Sequence, residues 1–347
     1  MKFPMRPIFY IAIVLGLMFV GPSLTRAENA VPAPRTITVA LDGTGDFSSI
    51  QEAVDSAMKG DTVLIKAGAY AQDLTVHSKE KIKIVGAGAD KVTLLGRSEL
   101  VGVLHVGKWP YGATDIEISG LTIGEHGGHA LGIFNGNRIT LRQVHVKGMV
   151  FGQQVQEVRI EDCMIGGSET TGVHLSDSQV LLIGNVIHDN DHGVNVTGKS
   201  SVRLERNIIT GNLFEAVVID DQAHAVLIKN TLVKNGGGAA FLGVSTIEAS
   251  GNIVSLNKVG FLIAVSSQTK TSYNALFNNE VSYMRAGSPN IRAPELQAES
   301  DMMADPRFVD AEHGDFRLKP DTTLLNRGTF RYLGALPPLV VPAQNRE

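Results

Sequence analysis

The chain of 347 residues holds one cysteine, Cys163, so an internal disulfide is excluded and stability must come from packing and hydrogen bonds alone. It also lacks an excess of either charge. Lys and Arg number 31 against 35 Asp and Glu, interspersed to a formal net charge of -4, so no basic footprint for nucleic acid exists. A long apolar run is missing too. The N-terminal stretch Ile8–Val20 is only 13 residues, whereas a membrane span needs about 20. Across most of the chain no helical periodicity of ten or more residues can be fitted, which excludes a helical bundle.

What is present begins with 43% hydrophobic residues, ample for a large core in one elongated domain or two smaller ones. Lys2 and Arg6 precede the short apolar run, and "GPSLTRAENA" supplies small residues for cleavage after Ala27. This is the layout of a secretory signal peptide over residues 1–27. No cysteine follows it to carry a lipid. The mature chain is therefore expected to be secreted or periplasmic, without stable membrane insertion, and a monomer.

Stacking the chain on itself reveals a repeat. "NVIHDNDHGVNV" from Asn185, "NIITGNLFEAVVI" from Asn207, "NTLVKNGGGAAFL" from Asn230, "NIVSLNKVGFLI" from Asn252 and "NALFNN" from Asn274 superimpose at intervals of 22, 23, 22 and 22. A second set, Asn190, Asn212, Asn235, Asn257 and Asn279, keeps the same intervals. Upstream, "DCMIGGSETTGVHL" and "QVHVKGMVFGQQV" continue the series with other residues in the lead. Each repeat consists of short Val- and Ile-rich alternating runs broken by Gly, Asn and Asp, the pattern of three brief parallel strands per coil. The spacing predicts an all-β, single-stranded right-handed parallel β-helix, its coils stacked about 4.8 Å apart. Asparagine suits the bends because it tolerates left-handed backbone and its amide can bond the rungs on either side.

Unpaired edges at the ends of a solenoid need covers. Ile50, Ala53, Val54 and Ala57 fall at i, i+3, i+4, i+7, predicting an amphipathic capping helix of about three turns with Asp46 or Ser48 as N-cap. The expected division is a signal peptide over 1–27, an N-terminal segment and capping helix over 28–60, the β-helix over 61–285, and a C-terminal cap and tail over 286–347. "DPRFVDAEHGDFRLKPDTTLLNRGT" is expected to cover the last coil, and "PPLVVPAQNRE" to be loose.

Two motifs carry a resemblance. "TVALDGTGDFSSIQEAVDSAMKGDTVLIKAGAY", Thr38–Tyr70, resembles the opening of pectinesterases and other pectin-lyase-like proteins. The asparagine-marked coils and the closing stretch Asp305–Thr329 are similar to bacterial right-handed β-helix repeat proteins. The resemblance implies the fold and an action on polysaccharides. It does not carry over the pectinesterase residues. "HALGI" puts His129 where that family has glutamine, and "MVFGQQV" and "TTGVHL" lack both aspartates. No "GRPW"-like stretch supplies the arginine. Without the carboxylate nucleophile and acid, ester hydrolysis by that route is excluded.

Alternate strand residues point outward. Taking Gly132, Gly152, Gly172, Gly193, Ala216, Ala239 and Gly260 as strand entries, a first outer column reads Phe134, Gln154, His174, Asn195, Val218, Phe241, Leu262. A second reads Gly136, Gln156, Ser176, Thr197, Asp220, Gly243, Ala264. The middle coils thus present a polar strip, and six of the ten histidines (126, 129, 145, 174, 188, 192) gather within the same 67 residues. His174 is the leading acid–base candidate, since imidazole titrates near neutrality, with Asp220 as carboxylate partner and His192 and Lys199 as further catalytic candidates. Gln154, Gln156, Ser176, Asn195, Thr197, Asp177 and Asp221 are candidate substrate-binding residues. An ordinary solvated sheet face would look similar.

Within "HDNDH", Asn190 belongs to the repeat, whereas His188, Asp191 and His192 are not demanded by it and form a candidate metal set. The alternative is a polar turn facing water. The functional expectation is a carbohydrate-active protein of lyase, epimerase or hydrolase type, with a divalent cation such as calcium as the candidate cofactor. Lyase or epimerase chemistry would use a histidine base, with Lys199, Arg203 or a cation neutralising a uronate. Hydrolysis would need two carboxylates from Asp177, Asp220 and Asp221. The alternative is a non-catalytic glycan-binding or periplasmic accessory β-helix.

Overall fold

The computed structural model describes residues 33–97, 102–124, 129–287 and 289–339. The expected signal segment, His126 and the tail from residue 340 onward lie outside the described residues. Apart from Ala33, the described residues belong to one unit, Pro34–Glu347.

Three parallel sheets wind into a solenoid of about eleven turns. Sheet I has eleven strands, from Thr36–Val39 to Gln268–Ser272, and sheet II has ten, from Gly68–Ala71 to Ala275–Phe277. Sheet III has ten parallel strands, from Leu74–Val76 to Val281–Ala286, and ends in the antiparallel Ile291–Arg292. One coil shows how the sequence makes this. Gln179–Ile183 lies in sheet I, Val186–His188 in sheet II and His192–Thr197 in sheet III, before Ser201–Glu205 starts sheet I again. Val180, Leu182, Ile187, Val194 and Val196 alternate inward and are buried. Each such aliphatic side chain contributes about 1.5–3 kcal/mol relative to exposure, so the core holds without cross-links. Cys163 is one of these buried residues, and burial pushes its thiol up to about 11, leaving it inert.

The two asparagine series occupy the corners on either side of sheet II. Asn185, Asn207, Asn230, Asn252 and Asn274 are at most 1% exposed. Each side-chain NH2 donates to the next asparagine's Oδ1 at 2.9–3.0 Å, and that oxygen also accepts the backbone N–H of the asparagine before it. Asn190, Asn212, Asn235, Asn257 and Asn279 repeat the arrangement at 2.8–3.2 Å. The steady intervals are therefore two continuous amide columns.

A helix, α1, spans Ile50–Ser56 and buries Ile50, Ala53 and Val54. It is shorter than the periodicity suggested, because Ala57, although buried, has left the helical conformation. The N-cap is Ser49, whose side chain accepts from the Glu52 N–H, and not Asp46 or Ser48. Asp46 is committed elsewhere, accepting from the backbone and hydroxyl of Thr38.

Beyond sheet III the chain forms two antiparallel hairpins, Phe308–Asp310 with Asp315–Leu318 and Leu325–Arg327 with Phe330–Tyr332. This stretch lies along the flank of sheet II as well as near the last coil. Leu318, Leu324 and Leu333 pack with Ile253 and Ala275, the Gly334 N–H donates to the Gly251 carbonyl, and the Ala335 N–H donates to Thr231 Oγ1. Asp301 ends the first amide column by accepting from the Asn274 backbone and side chain.

Removing one rung strands buried donors and acceptors on its neighbours, which costs about 1–3 kcal/mol. Asn230→Ala is expected to destabilise by roughly that amount, and Asn279→Ala, at the part-exposed end of its column, by less. Urea unfolding midpoints of the two variants check the order.

Candidate functional site

The outer face of sheet III holds His174, Asn195, Ser176, Thr197 and Asp220 of the candidate residues. Strand pairing sets one column as Thr75, His105, Gly132, Phe151, His174, Asn195, Val218, Ala240, Leu262 and Met284. The next column runs Phe134, Gln153, Ser176 and Thr197, and Asp220 continues it through its N–H to the Val196 carbonyl.

This register agrees with the expected columns at His174, Asn195, Val218, Leu262, Ser176, Thr197 and Asp220. It departs from them at the glycines used as markers. Phe151 stands beside His174 where Gln154 was expected, and Phe134 lies in the second column. Gln156 leaves this face altogether, since its N–H donates to Gly136 and it bridges toward Asn137 at the start of sheet I. Phe241 is fully buried and Ala240 takes its outer place. A one-residue slip turns a side chain to the other face, and the run Gly236–Gly238 offered three equivalent starting points. Similarly, the Leu242 N–H, rather than that of Gly243, meets the Ile219 carbonyl.

At the upstream end five rings form an unbroken strip. His105, His129, Phe134, Phe151 and His174 follow one another with centroid separations of 5.1–5.9 Å. Gly132 makes this possible. A Cβ there would lie 2.6 Å from the Phe134 ring and 2.8 Å from His129 Nε2, so only glycine lets both rings fold across the strand. His105 Nε2 and His129 Nε2 are 2.9 Å apart, one donating to the other. Trp109, 74% exposed, stands at the rim of two clefts. One, of about 370 Å³, is bounded by Thr75, His105, Lys108, Trp109 and Phe134; the other, of about 300 Å³, by Trp109, Phe134, Asn135, Gln153 and Gln154.

The remaining candidates lie downstream. Asn195 sits next to His174 in its column, and its Oδ1 is buried without a partner among the described residues. His192 stacks on Phe214 at 5.1 Å, with Nδ1 3.3 Å from Glu215 Oε2, a separation of attracting groups lacking hydrogen-bond alignment. Asp177, Lys199 and Asp221 line a separate cleft of about 450 Å³ in the turns. Their carboxylates are already engaged: Asp177 accepts the Lys199 N–H, Asp221 the Gly198 N–H, and Asp220 the Asp221 N–H. Asp220 is two strands from His174, roughly 10 Å, so the pair is not in contact.

The candidate metal set is not assembled. His188 Nδ1 pairs with Asp189 at 2.8 Å, and among the described residues no group of three or more His, Cys, Asp or Glu side chains could hold a metal ion. Sequence reasoning missed His105, Trp109, Phe151 and Glu215. The one tryptophan of the chain was the available signal for the rim.

Burial lowers the pKa of His174, and burial followed by the neighbouring His129 lowers that of His105. Both imidazoles are therefore neutral at pH 7. The unfolded chain, with histidines near about 6.5, takes up protons first as pH falls, so the stability contributed by these neutral rings is lost below about 6.5. Replacing the titrating ring in His174→Gln is expected to flatten the loss between neutrality and about pH 5, read as thermal midpoints across pH.

The geometry has counterparts among known proteins. The right-handed beta helix region model matches residues 111–281, and the pectinesterase model matches residues 36–107. A pectinesterase of Petunia integrifolia is 33% identical over 82 residues, 22% of this chain and 21% of that protein. The chain thus spans about a fifth of the length of the curated relative it matches. Pectate lyase Pel9A superposes with a TM-score of 0.54 at 13% identity, over 89% of this chain and 98% of that one. The A-module of the Azotobacter vinelandii mannuronan C-5 epimerase AlgE6 gives 0.52 at 15% identity, over 69% and 82%. These superpositions show a shared fold. Two adjoining family models along one continuous three-sheet solenoid support a pectin-lyase-like right-handed parallel β-helix protein.

Proposed function

We propose that this protein holds a polysaccharide along the outer face of sheet III, from the Trp109 rim to His174 and Asn195, and acts on it there. The observation that carries the reading is the strip of five rings with an exposed tryptophan beside it. Sugar rings present flat C–H faces that pack on aromatic faces, and a few polar groups fix orientation. Asn195, part-exposed beside His174 on the same face, supplies a side-chain amide to a hydroxyl-rich ligand in this reading.

His174, neutral and beside Asn195, is the acid–base group of this reading. A proton-abstracting lyase or epimerase suits a neutral imidazole. Hydrolysis by paired carboxylates suits the site less, since Asp177, Asp220 and Asp221 are tied to backbone N–H groups. Ester hydrolysis through an aspartate nucleophile suits the site less, since the outer column from Thr75 to Met284 contains no carboxylate and Asp220, in the next column, accepts the Asp221 N–H. A non-catalytic glycan-binding role is favoured by a separate fact: among the described residues the only charged one bordering the two Trp109 clefts is Lys108.

In the same reading residues 1–27 direct export and the mature chain works as a monomer. Helix α1 covers the first coil, and the segment beyond residue 286 closes the last. Among the described residues no helix is long and apolar enough to cross a membrane.

Trp109→Ala is expected to weaken polysaccharide binding about tenfold or more. His174→Ala is expected to abolish the ultraviolet absorbance of an unsaturated uronate product while binding persists. Wild-type binding in Trp109→Ala would sink the cleft. Retained binding with no product from the wild type on pectin, alginate or glycosaminoglycan would leave the binding role.

A further inference from the structure

Sheet I carries a different surface. Across five consecutive strands, from Asn137–Arg142 to His224–Ile228, a groove of about 540 Å³ runs along the solenoid axis. Its length is four strand spacings, roughly 19 Å. Arg159, Leu181, Arg203 and Val226 follow one another in a single register along it. Arg138 stands at one end, and Glu157 is the one acidic residue of the lining.

The arginines are held by carboxylates outside the groove. Arg159 donates from Nε to Glu161 Oε1 and Arg203 from Nε to Glu205 Oε2, with each Nη2 in ion-pair contact with the same oxygen. Glu161 is shared with Arg142 and Glu205 with Arg206, so each cluster keeps one positive charge in excess. Burial would raise the Glu161 carboxyl, yet Arg142 and Arg159 hold it below its usual value and keep it ionised. Neither Arg159 nor Arg203 has a partner for Nη1 among the described residues. Each guanidinium is thus fixed in place with donors to spare, and little side-chain entropy remains to be lost on binding.

We propose that this groove binds a linear polymer carrying a carboxylate on each sugar, with Arg159 and Arg203 as its anchors and Leu181 and Val226 as its floor. The two guanidinium groups lie two strands apart, roughly 10 Å. One sugar unit covers about one strand spacing, so alternate carboxylates of an extended polyuronate meet successive arginines. Asp115 neutralises Arg138 and Glu157 adds one negative charge, so the positive excess of this face comes from the Arg142–Arg159–Glu161 and Arg203–Arg206–Glu205 clusters. Among the described residues no Phe, Tyr or Trp lines the groove to stack a base, which favours a polyuronate over single-stranded nucleic acid. The site shares no residue with the ring-lined cleft of sheet III and does not depend on it.

The test uses the full chain in a Trp109→Ala background, which disables the sheet III cleft, with polygalacturonate and alginate as probes, dextran as neutral control and single-stranded DNA as competing polyanion. Adding Arg159→Ala and Arg203→Ala is expected to lower polyuronate affinity about tenfold or more, with an unchanged circular dichroism spectrum. Arg159→Lys with Arg203→Lys should recover only part of it, since lysine cannot make the forked contact. Binding should fall with added salt, and dextran should not bind. Unchanged polyuronate affinity in the alanine variant would overturn the proposal. So would DNA binding of equal strength that responds equally to the substitutions. Loss of polysaccharide binding in Trp109→Ala alone, without any arginine effect, would support sheet III and overturn sheet I.

Discussion

Everything in this molecule hangs on the stacked side-chain amides at the two corners of sheet II. A chain that bends sharply every few residues buries backbone N–H groups where no strand partner can reach them. An asparagine oxygen accepts the N–H of the rung before it, while its own NH2 serves the rung after, so one residue type repeated satisfies both directions. The column must end in a group that accepts without needing to give. Asp301 is that group: it takes two hydrogen bonds from Asn274 and a third from the Tyr283 hydroxyl at 2.6 Å. Upstream, the same corner is occupied by Leu121, Val144 and Cys163, all buried.

That change of corner coincides with a change in the side chains on the outer face of sheet III. Where amides fill the corner, coils keep a steady length, and the outer column of sheet III becomes Val218, Ala240, Leu262 and Met284, with little chemistry to offer. Where apolar residues fill it, coil lengths vary. Successive members of that column, Thr75, His105, Gly132 and Phe151, are unevenly spaced, and the extra residues include the turn that raises Trp109. The five-residue step between the two columns admits no insertion, because an added residue there would break bonds, and the one extra residue of the Asn207–Asn230 coil falls outside it, between Asn212 and Asn230. The irregular coils are free to carry an overhang, and the rings gather there.

This division also decides what could be read in the sequence. The asparagine intervals gave the parallel solenoid, and His174, Asn195, Ser176, Thr197 and Asp220 fell on the face assigned to them because they lie within or beside the regular coils. The first coils were misregistered because glycine was used to mark strand entry. Gly132 is there to let two rings cross the strand, and a Cβ on Gly152 would meet Leu175 Cδ2 at 2.9 Å. Neither glycine marks a turn. His192 and Glu215 are 23 positions apart in sequence, and only the coil brings them to 3.3 Å. The pairing of His188 with its neighbour Asp189, rather than with Asp191 and His192, is a matter of side-chain direction that spacing does not encode.

The coils of the ring-lined face also build the arginine groove. Strand Asn137–Arg142 follows His129–Phe134, and Val158–Glu161 follows Met149–Gln153, so each turn places a ring on one sheet and a guanidinium or its carboxylate on another. Between the two faces lie side chains such as Leu141, Ile160, Val150 and Leu175, all buried and aliphatic. A charge carried through that layer would be unsolvated and costly. The two faces are therefore coupled only through packing and strand register, both of which the amide columns hold fixed. A substitution that trims a side chain on one outer face without moving the backbone leaves the register of the other intact. A solenoid of this kind can carry two independent sugar-binding surfaces on a single set of coils.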